Sequence, residues 1–115
     1  MRLSNIAAVA AMLVIAGCNS STSPSTGGRS LSIGVGNNFY SLTPDTIASG
    51  ATITWTWGAS SNGHTVNWDS GPGTLPANSA TMTTGTYTAM LNTPGTYHYH
   101  CLVHGAAMSG VVVVQ

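Results

Sequence analysis

Residues 97–110 read YHYHCLVHGAAMSG, and in this stretch the alternation of a β-strand leads directly into a group of metal-binding side chains. Successive side chains of a strand point to opposite faces, so Tyr99 and Cys101 share one face. His98 and His100 share the other face. With the aromatic rings packed inward, we expect the thiol to point into the protein and these two histidines to face solvent.

Beyond the thiol, the same stretch supplies an imidazole at His104 and a thioether at Met108. We predict a short loop over residues 102–109 that turns both side chains back toward Cys101. Thiolate, imidazole and thioether form a soft ligand set, which selects copper over magnesium or calcium. One more imidazole completes a four-ligand site, and His64 is available after an Asn-Gly turn. Taken singly, a methionine or a strand histidine is more often a structural residue, so the metal-site hypothesis depends on the set.

The rest of the sequence is typical of an all-β domain. Residues 52–57 alternate strictly, with Ile53, Trp55 and Trp57 on one face and threonines on the other. Short runs of this kind recur between Gly, Pro and Asn turn signals, which favours an antiparallel sandwich. The predicted strands are residues 31–35, 52–57, 64–68, 80–83, 86–91, 96–101 and 110–114. We predict a single Greek-key β-sandwich of about seven or eight strands over residues 31–115.

Charge excludes one large class of function. The formally charged side chains are Arg2, Arg29, Asp45 and Asp69, and the chain has no Lys and no Glu. Nucleic-acid binding depends on clustered basic residues that neutralise phosphates, and none exist here. We therefore expect no nucleic-acid partner, and little long-range electrostatic steering of any protein partner.

The N-terminal residues are typical of an export signal. Arg2 precedes an apolar run at residues 6–16, which is shorter than the roughly twenty residues that span a bilayer. We interpret residues 1–17 as a lipoprotein-type signal peptide, because the sequence before Cys18 resembles the lipobox of bacterial lipoproteins. Ordinary cleavage at a nearby small residue is the alternative. Residues 18–30 then form a lipidated cysteine and a flexible Ser/Thr/Gly tether.

This interpretation places the domain in the bacterial cell envelope, facing the periplasm or the cell exterior and anchored to a membrane through Cys18. It also separates the two cysteines of the chain. A disulfide between Cys18 and Cys101 would tie a flexible tail to the proposed metal site, so we expect none. Cys101 is then a lone thiol in an oxidising compartment, where burial or a bound metal would protect it.

With these ligands and strands, the domain resembles the blue copper proteins of the cupredoxin superfamily, the plastocyanin, amicyanin and azurin group. The resemblance covers GATITWTW at residues 50–57, GHTVNWDSG at residues 63–71 and TPGTYHYHCLVHGAAMSGVVVV at residues 93–114. It implies one type 1 copper ion as the cofactor. The residues that the family pattern assigns are the trigonal ligands His64, Cys101 and His104 and the weak axial ligand Met108.

Two positions beside the ligands depart from the commonest pattern of those relatives. An Asn often follows the first histidine and hydrogen-bonds to the cysteine loop, whereas this chain has Thr65. Gly63, directly before His64, resembles the glycine of azurin whose carbonyl approaches the metal. The resemblance therefore implies that Gly63 and Thr65 surround the site, with an axial geometry set by this chain's own contacts.

The resemblance implies electron transfer through Cu(I)/Cu(II) between redox partner proteins outside the cytoplasm. The ligand set leaves no open coordination position, so an electron carrier fits better than an enzyme, and we assign no catalytic residue. Family members commonly exchange electrons at the histidine that matches His104, and the small residues Gly105, Ala106 and Ala107 would leave its ring edge near the surface. We expect partners to dock there on a monomeric protein.

Two other interpretations stay open. A copper scavenger or delivery protein of the cell envelope would use the same four ligands without fast redox cycling. Separately, His98 and His100 are spaced to chelate a second metal ion on the outer face of their strand, although two solvated side chains are the simpler interpretation.

Overall fold

The computed structural model describes residues 30–41, 43–58 and 62–115 of the chain. Within these residues the regular secondary structure is entirely β. Eight strands form two four-stranded sheets. The strands are β1 (Leu31–Gly36), β2 (Phe39–Tyr40), β3 (Asp45–Ile47), β4 (Ala51–Trp57), β5 (Asn67–Ser70), β6 (Gly85–Leu91), β7 (Gly95–Cys101) and β8 (Gly105–Val114). The prediction of an all-β sandwich is confirmed.

Both sheets contain parallel and antiparallel pairs, so the prediction of a purely antiparallel sandwich is wrong. The first sheet has the order β2-β1-β4-β6, and the second has the order β3-β8-β7-β5. β1 runs parallel to β4, and β3 runs parallel to β8, while the remaining pairs are antiparallel. β7 is therefore an inner strand, with β8 on one side and the edge strand β5 on the other.

The core lies between the two sheets and is rich in aromatic rings. Trp55 on β4 is fully buried, as the alternation of residues 52–57 predicts. Its ring centroid lies 5.6 Å from that of Trp68 on β5 and 5.5 Å from that of Tyr99 on β7, both in edge-to-face geometry. Such pairs add about 0.5–1.5 kcal/mol beyond the burial of their surface. These contacts join the first sheet to the second.

Four of the predicted strands, over residues 31–35, 52–57, 86–91 and 96–101, match β1, β4, β6 and β7 to within a residue or so. The predicted strand over residues 80–83 is wrong, because only Met82 pairs there, in an isolated bridge to His64. The predicted strand over 64–68 starts late, at Asn67. β2 and β3 were not predicted, because two or three residues are too few to show a periodic pattern.

β8 begins at Gly105 and not at Gly110, so the predicted loop over residues 102–109 was too long. The turn between β7 and β8 covers residues 102–104 alone. His100 pairs with Ser109, but the next residue, Cys101, pairs with Gly105. Because of this shift of register, residues 106–108 form an irregular bulge of β8 beside the thiol.

The predicted signal peptide over residues 1–17, the lipidation site Cys18 and all of the tether except Ser30 lie outside the described residues. They stay predictions. In the described part of the chain, no helix has both the length and the hydropathy to cross a bilayer.

Candidate metal centre

The site is built around Cys101, which ends β7 on the strand's inner face and is a free thiol with no exposed surface. Its Sγ lies 3.7 Å from Nδ1 of His64 and 3.6 Å from Nδ1 of His104. The ligand atoms of the three residues all lie within 4.8 Å of one another. Within the described residues they are the only group of three or more His, Cys, Asp or Glu side chains gathered closely enough to hold a metal ion.

His64 is fixed by its backbone and by both ring nitrogens. It exchanges two backbone hydrogen bonds with Met82, each 3.0 Å long, and its carbonyl accepts a third from Nε1 of Trp57 at 3.2 Å. Its Nε2 lies 3.4 Å from Oδ1 of Asn37. Because a carbonyl oxygen can only accept, Asn37 favours the tautomer with the proton on Nε2. The lone pair of Nδ1 then faces the thiol of Cys101.

His104 and Met108 approach from the turn and from β8. The backbone N–H of His104 donates to the carbonyl of Cys101 at 3.3 Å, which closes the turn. Gly105 follows with a φ of 60°, a left-handed conformation that glycine adopts without strain. His104 is half-buried, whereas Met108 has only 1% of its surface exposed. The irregular bulge at residues 106–108 thus keeps the thioether inside the protein beside the cysteine.

Thr65 connects the His64 segment to the Cys101 loop in two ways. Its backbone N–H points to Sγ of Cys101 at 3.5 Å, and its Oγ1 accepts a hydrogen bond of 2.9 Å from the backbone N–H of Leu102. The hydroxyl of Tyr40 on β2 donates to the carbonyl of Thr65. A threonine therefore makes here the loop contact for which the resemblance led us to expect an asparagine. The predicted role of Gly63, which is half-buried, stays a prediction.

Burial also sets the electrostatics of the site. Loss of solvent around His64, with a smaller effect from the neighbouring ring of His104, lowers the pKa of His64. The two rings stand 4.8 Å apart between centroids. Burial raises the pKa of Tyr40, and electrostatic repulsion from the nearby Cys101 raises it further. A neutral imidazole and a protonated phenol are the forms needed for a metal ligand and for a hydrogen-bond donor.

The two remaining histidines lie on the outer face of β7, as the alternation predicts. His98 is exposed, and His100 is partly exposed with Nδ1 at 2.5 Å from Oδ1 of Asp69. Neither belongs to the group around Cys101.

Three residues that support the site were missed by the reading of the sequence: Asn37, Tyr40 and Trp57, which contact the His64–Thr65 segment. Asn37 and Tyr40 each lie at least 25 positions from the residue they contact. No local pattern reveals such a pairing, because it depends on how β1 and β2 pack against the second sheet.

Comparison with known proteins agrees with this geometry. The family model described as copper binding proteins, plastocyanin/azurin family, matches residues 30–115. The chain belongs to this family. No curated protein sequence matches this plastocyanin/azurin-family chain.

Solved structures give the same fold. A reduced Cu(I) form of an amicyanin mutant is 30% identical, with a TM-score of 0.61 over 75% of this chain and 82% of that chain. A purple cupredoxin from Nitrosopumilus maritimus is 26% identical, with a TM-score of 0.60 over 74% of this chain and 99% of that one. A Cu-containing nitrite reductase (NirK) from Thermus scotoductus SA-01 is 18% identical, with a TM-score of 0.62 over 76% of this chain. This chain spans only 22% of that longer protein, so the likeness concerns the fold alone.

The donor atoms fit a single type 1 copper. A buried thiol lies between two imidazole nitrogens, and a buried thioether follows on β8. Two imidazoles, one thiolate and a weak methionine ligand are the set of blue-copper sites, whereas structural zinc sites use more thiolates and no methionine. The residues that would hold the ion are His64, Cys101, His104 and Met108.

Proposed function

We propose that this protein is an electron carrier that passes one electron at a time through a single type 1 copper. The observation that carries the proposal is the buried thiol of Cys101, closely flanked by two imidazoles that sheet pairing and a tight turn hold in place. Copper bound there would supply a Cu(I)/Cu(II) couple. The protein's part is to keep the donor atoms in one arrangement that suits both oxidation states.

The hydrogen bonds around the thiol support this role. Thr65 fastens the Cys101 loop to the His64 segment, and Tyr40 fastens Thr65 to the first sheet. These hydrogen bonds between protein groups hold the segments that carry the ligands, so we propose that the site is preorganised. A preorganised site requires little movement when an electron arrives, which favours rapid cycling over the release of copper.

We place the exchange of electrons at His104, where the site reaches the surface. Next to it, Leu102 and Val103 are exposed over 62% and 56% of their surface. Ala106 and Ala107 are also exposed. No charged side chain occurs between residues 102 and 115, so this segment offers partners an uncharged and largely apolar surface. We propose that redox partner proteins dock here through weak, mainly apolar contacts.

The carrier does not act as an enzyme in this proposal, because four protein ligands leave no coordination position for a substrate. We further propose that it works outside the cytoplasm, held to a membrane of the cell envelope by acylated Cys18. Mass spectrometry of the mature N-terminus tests the anchor. A diacylglyceryl-modified Cys18 supports it, and an unmodified N-terminus refutes it.

Loading the purified protein with copper tests the function. The proposal predicts an intense blue colour that a reductant bleaches and an oxidant restores. A colourless, tight Cu(I) complex would instead support copper scavenging or delivery, and a failure to take up copper would refute both functions.

The docking surface has its own test. Electron-transfer rates with a small redox partner should change little with ionic strength, because residues 102–115, which include His104, carry no charged side chain. Replacing Val103 by Asp should slow transfer to an anionic partner and make the rate depend on salt. A steep salt dependence of the unmodified protein would contradict an uncharged docking surface.

A further inference from the structure

The outer face of β7 carries two histidines that the copper site does not use. His98 and His100 alternate outward, two positions apart. Two residues along a strand are separated by about 7 Å, a spacing at which two imidazoles can turn toward one ion. Neither ring is enclosed by the core, so an ion can reach both from solvent.

A β-bulge brings a carboxylate to the same place. Trp68 of β5 pairs with Tyr99, and Ser70 pairs with His98, so Asp69 is the extra residue between two successive pairs. Bulges re-aim side chains on the strand that carries them. Asp69 is exposed over 41% of its side chain, and its Oδ1 lies 2.5 Å from Nδ1 of His100.

This contact determines which nitrogen of His100 is free. The Asp69 carboxylate can only accept a hydrogen bond, so Nδ1 of His100 carries the proton. In the neutral ring the lone pair is then on Nε2, the nitrogen directed away from Asp69. Metal-binding histidines usually donate their other N–H to a carboxylate in this way, which fixes the tautomer and makes the ring more basic.

From this arrangement we propose that His98 and His100 form a second, surface metal site, with Asp69 as the residue that orients His100. The ligand class is a divalent late first-row transition ion, bound by two imidazoles and completed by water. Cu(II) should bind most tightly, because it leads the affinity order of these ions at nitrogen sites. No Lys or Arg follows residue 29, so no basic side chain of the domain repels the ion.

The two sites differ in ligand chemistry and access. The inner site offers a thiolate and a thioether in a dry interior, whereas the outer site offers imidazoles in contact with water. His100 is next to Cys101 in sequence, but its side chain lies on the opposite face of the strand. An ion on His100 would therefore be separated from the thiol by the strand itself. The second ion would therefore give the magnetic signature of ordinary tetragonal Cu(II), without the intense colour of a copper thiolate.

The test uses the full chain with one equivalent of copper already bound. A second equivalent of Cu(II) is added and followed by calorimetry and by electron paramagnetic resonance. We expect a second binding event with a separate tetragonal Cu(II) signal, while the blue band is unchanged. Replacing His98 by Ala should weaken this event at least tenfold, and Asp69→Asn should weaken it by roughly 10–100-fold.

Thr96→Ala is the matched control, because Thr96 is exposed on the same face of β7 and offers no imidazole. It should leave both binding events intact. The proposal is overturned if no second equivalent binds, or if His98→Ala binds it as tightly as the unmodified protein does. The latter result would assign the signal to adventitious copper elsewhere on the chain.

Discussion

The two faces of β7 place similar side chains in opposite surroundings. On the inner face, Tyr97, Tyr99 and Cys101 are buried with at most 2% of their surface exposed. On the outer face, His98 is exposed and His100 is partly exposed. One strand thus presents a dry, enclosed donor on one side and hydrated donors on the other. Alternation by a single residue decides which kind of metal chemistry each donor can support.

Preorganisation separates the faces as clearly as burial does. The inner thiol is surrounded by groups held by backbone pairing, a tight turn and the hydrogen bonds of Thr65. Within the described residues, the outer histidines have one directional side-chain contact, between His100 and Asp69. The inner face therefore holds its donor atoms in a fixed geometry that suits copper, whereas the proposed outer site would accept or lose an ion without affecting the fold.

The largest effect should follow from removing the inner thiol. Cys101→Ala should abolish the blue colour, and copper should no longer raise the melting temperature by the amount seen in the unmodified protein, because the stabilisation grows with the affinity of the folded state for its ligand. Visible absorption and thermal unfolding with and without copper measure both effects. A variant that stays blue would show that the comparison between the faces is wrong.

The next largest effect concerns the packing of the inner face. A Cβ atom added at Gly110 would lie 2.3 Å from Cζ of Tyr99, closer than packed atoms allow. Gly110→Ala should therefore lower the free energy of unfolding by about 1–3 kcal/mol, measured by urea denaturation of the copper-free protein. Ser109→Ala, at the exposed neighbouring position, should change it by less than about 0.5 kcal/mol. Equal losses in both variants would indicate that Tyr99 does not pack as described.

A smaller effect is expected from the hydroxyl of Tyr40. Tyr40→Phe removes the donor to the carbonyl of Thr65 and should cost about 1 kcal/mol of stability. Because Thr65 also directs its N–H toward the thiol, the variant should shift the blue absorption band and the reduction potential. Tyr87→Phe is the control, since its hydroxyl bonds lie away from the site, to Trp68 and Ala77. If both variants keep the original band and potential, Tyr40 is structural only.

The smallest effect should come from the outer face. His98→Ala should change the free energy of unfolding by less than about 0.5 kcal/mol, because an exposed side chain without buried contacts contributes little. Its blue band and potential should equal those of the unmodified protein. Loss of colour in this variant would mean that an outer histidine takes part in the inner site.

Much of this architecture was predictable from residue patterns. Alternation placed Cys101 inward and the two histidines outward, and it gave the buried faces of β4 and β7. It worked because these strands are seven residues long, enough for a period of two to be visible. The soft ligands were also evident, since three of them lie within eight positions.

Contacts between distant segments were not predictable in the same way. β3 exists because it pairs in parallel with β8, over 60 positions later, and nothing within its three residues signals this. Asn37 and Tyr40 support the site for the same reason, through packing and not through local sequence. The early start of β8 at Gly105 reflects a register shift beside Cys101, which depends on pairing with β7 and not on a local pattern.

Voltammetry of the copper-loaded protein shows whether the thiol of Cys101 carries the redox-active copper. We expect one reversible one-electron wave per chain, retained in His98→Ala and absent in Cys101→Ala. An irreversible wave in the unmodified protein, or a reversible wave that survives loss of Cys101, would contradict the claim that the inner face of β7 carries the electron.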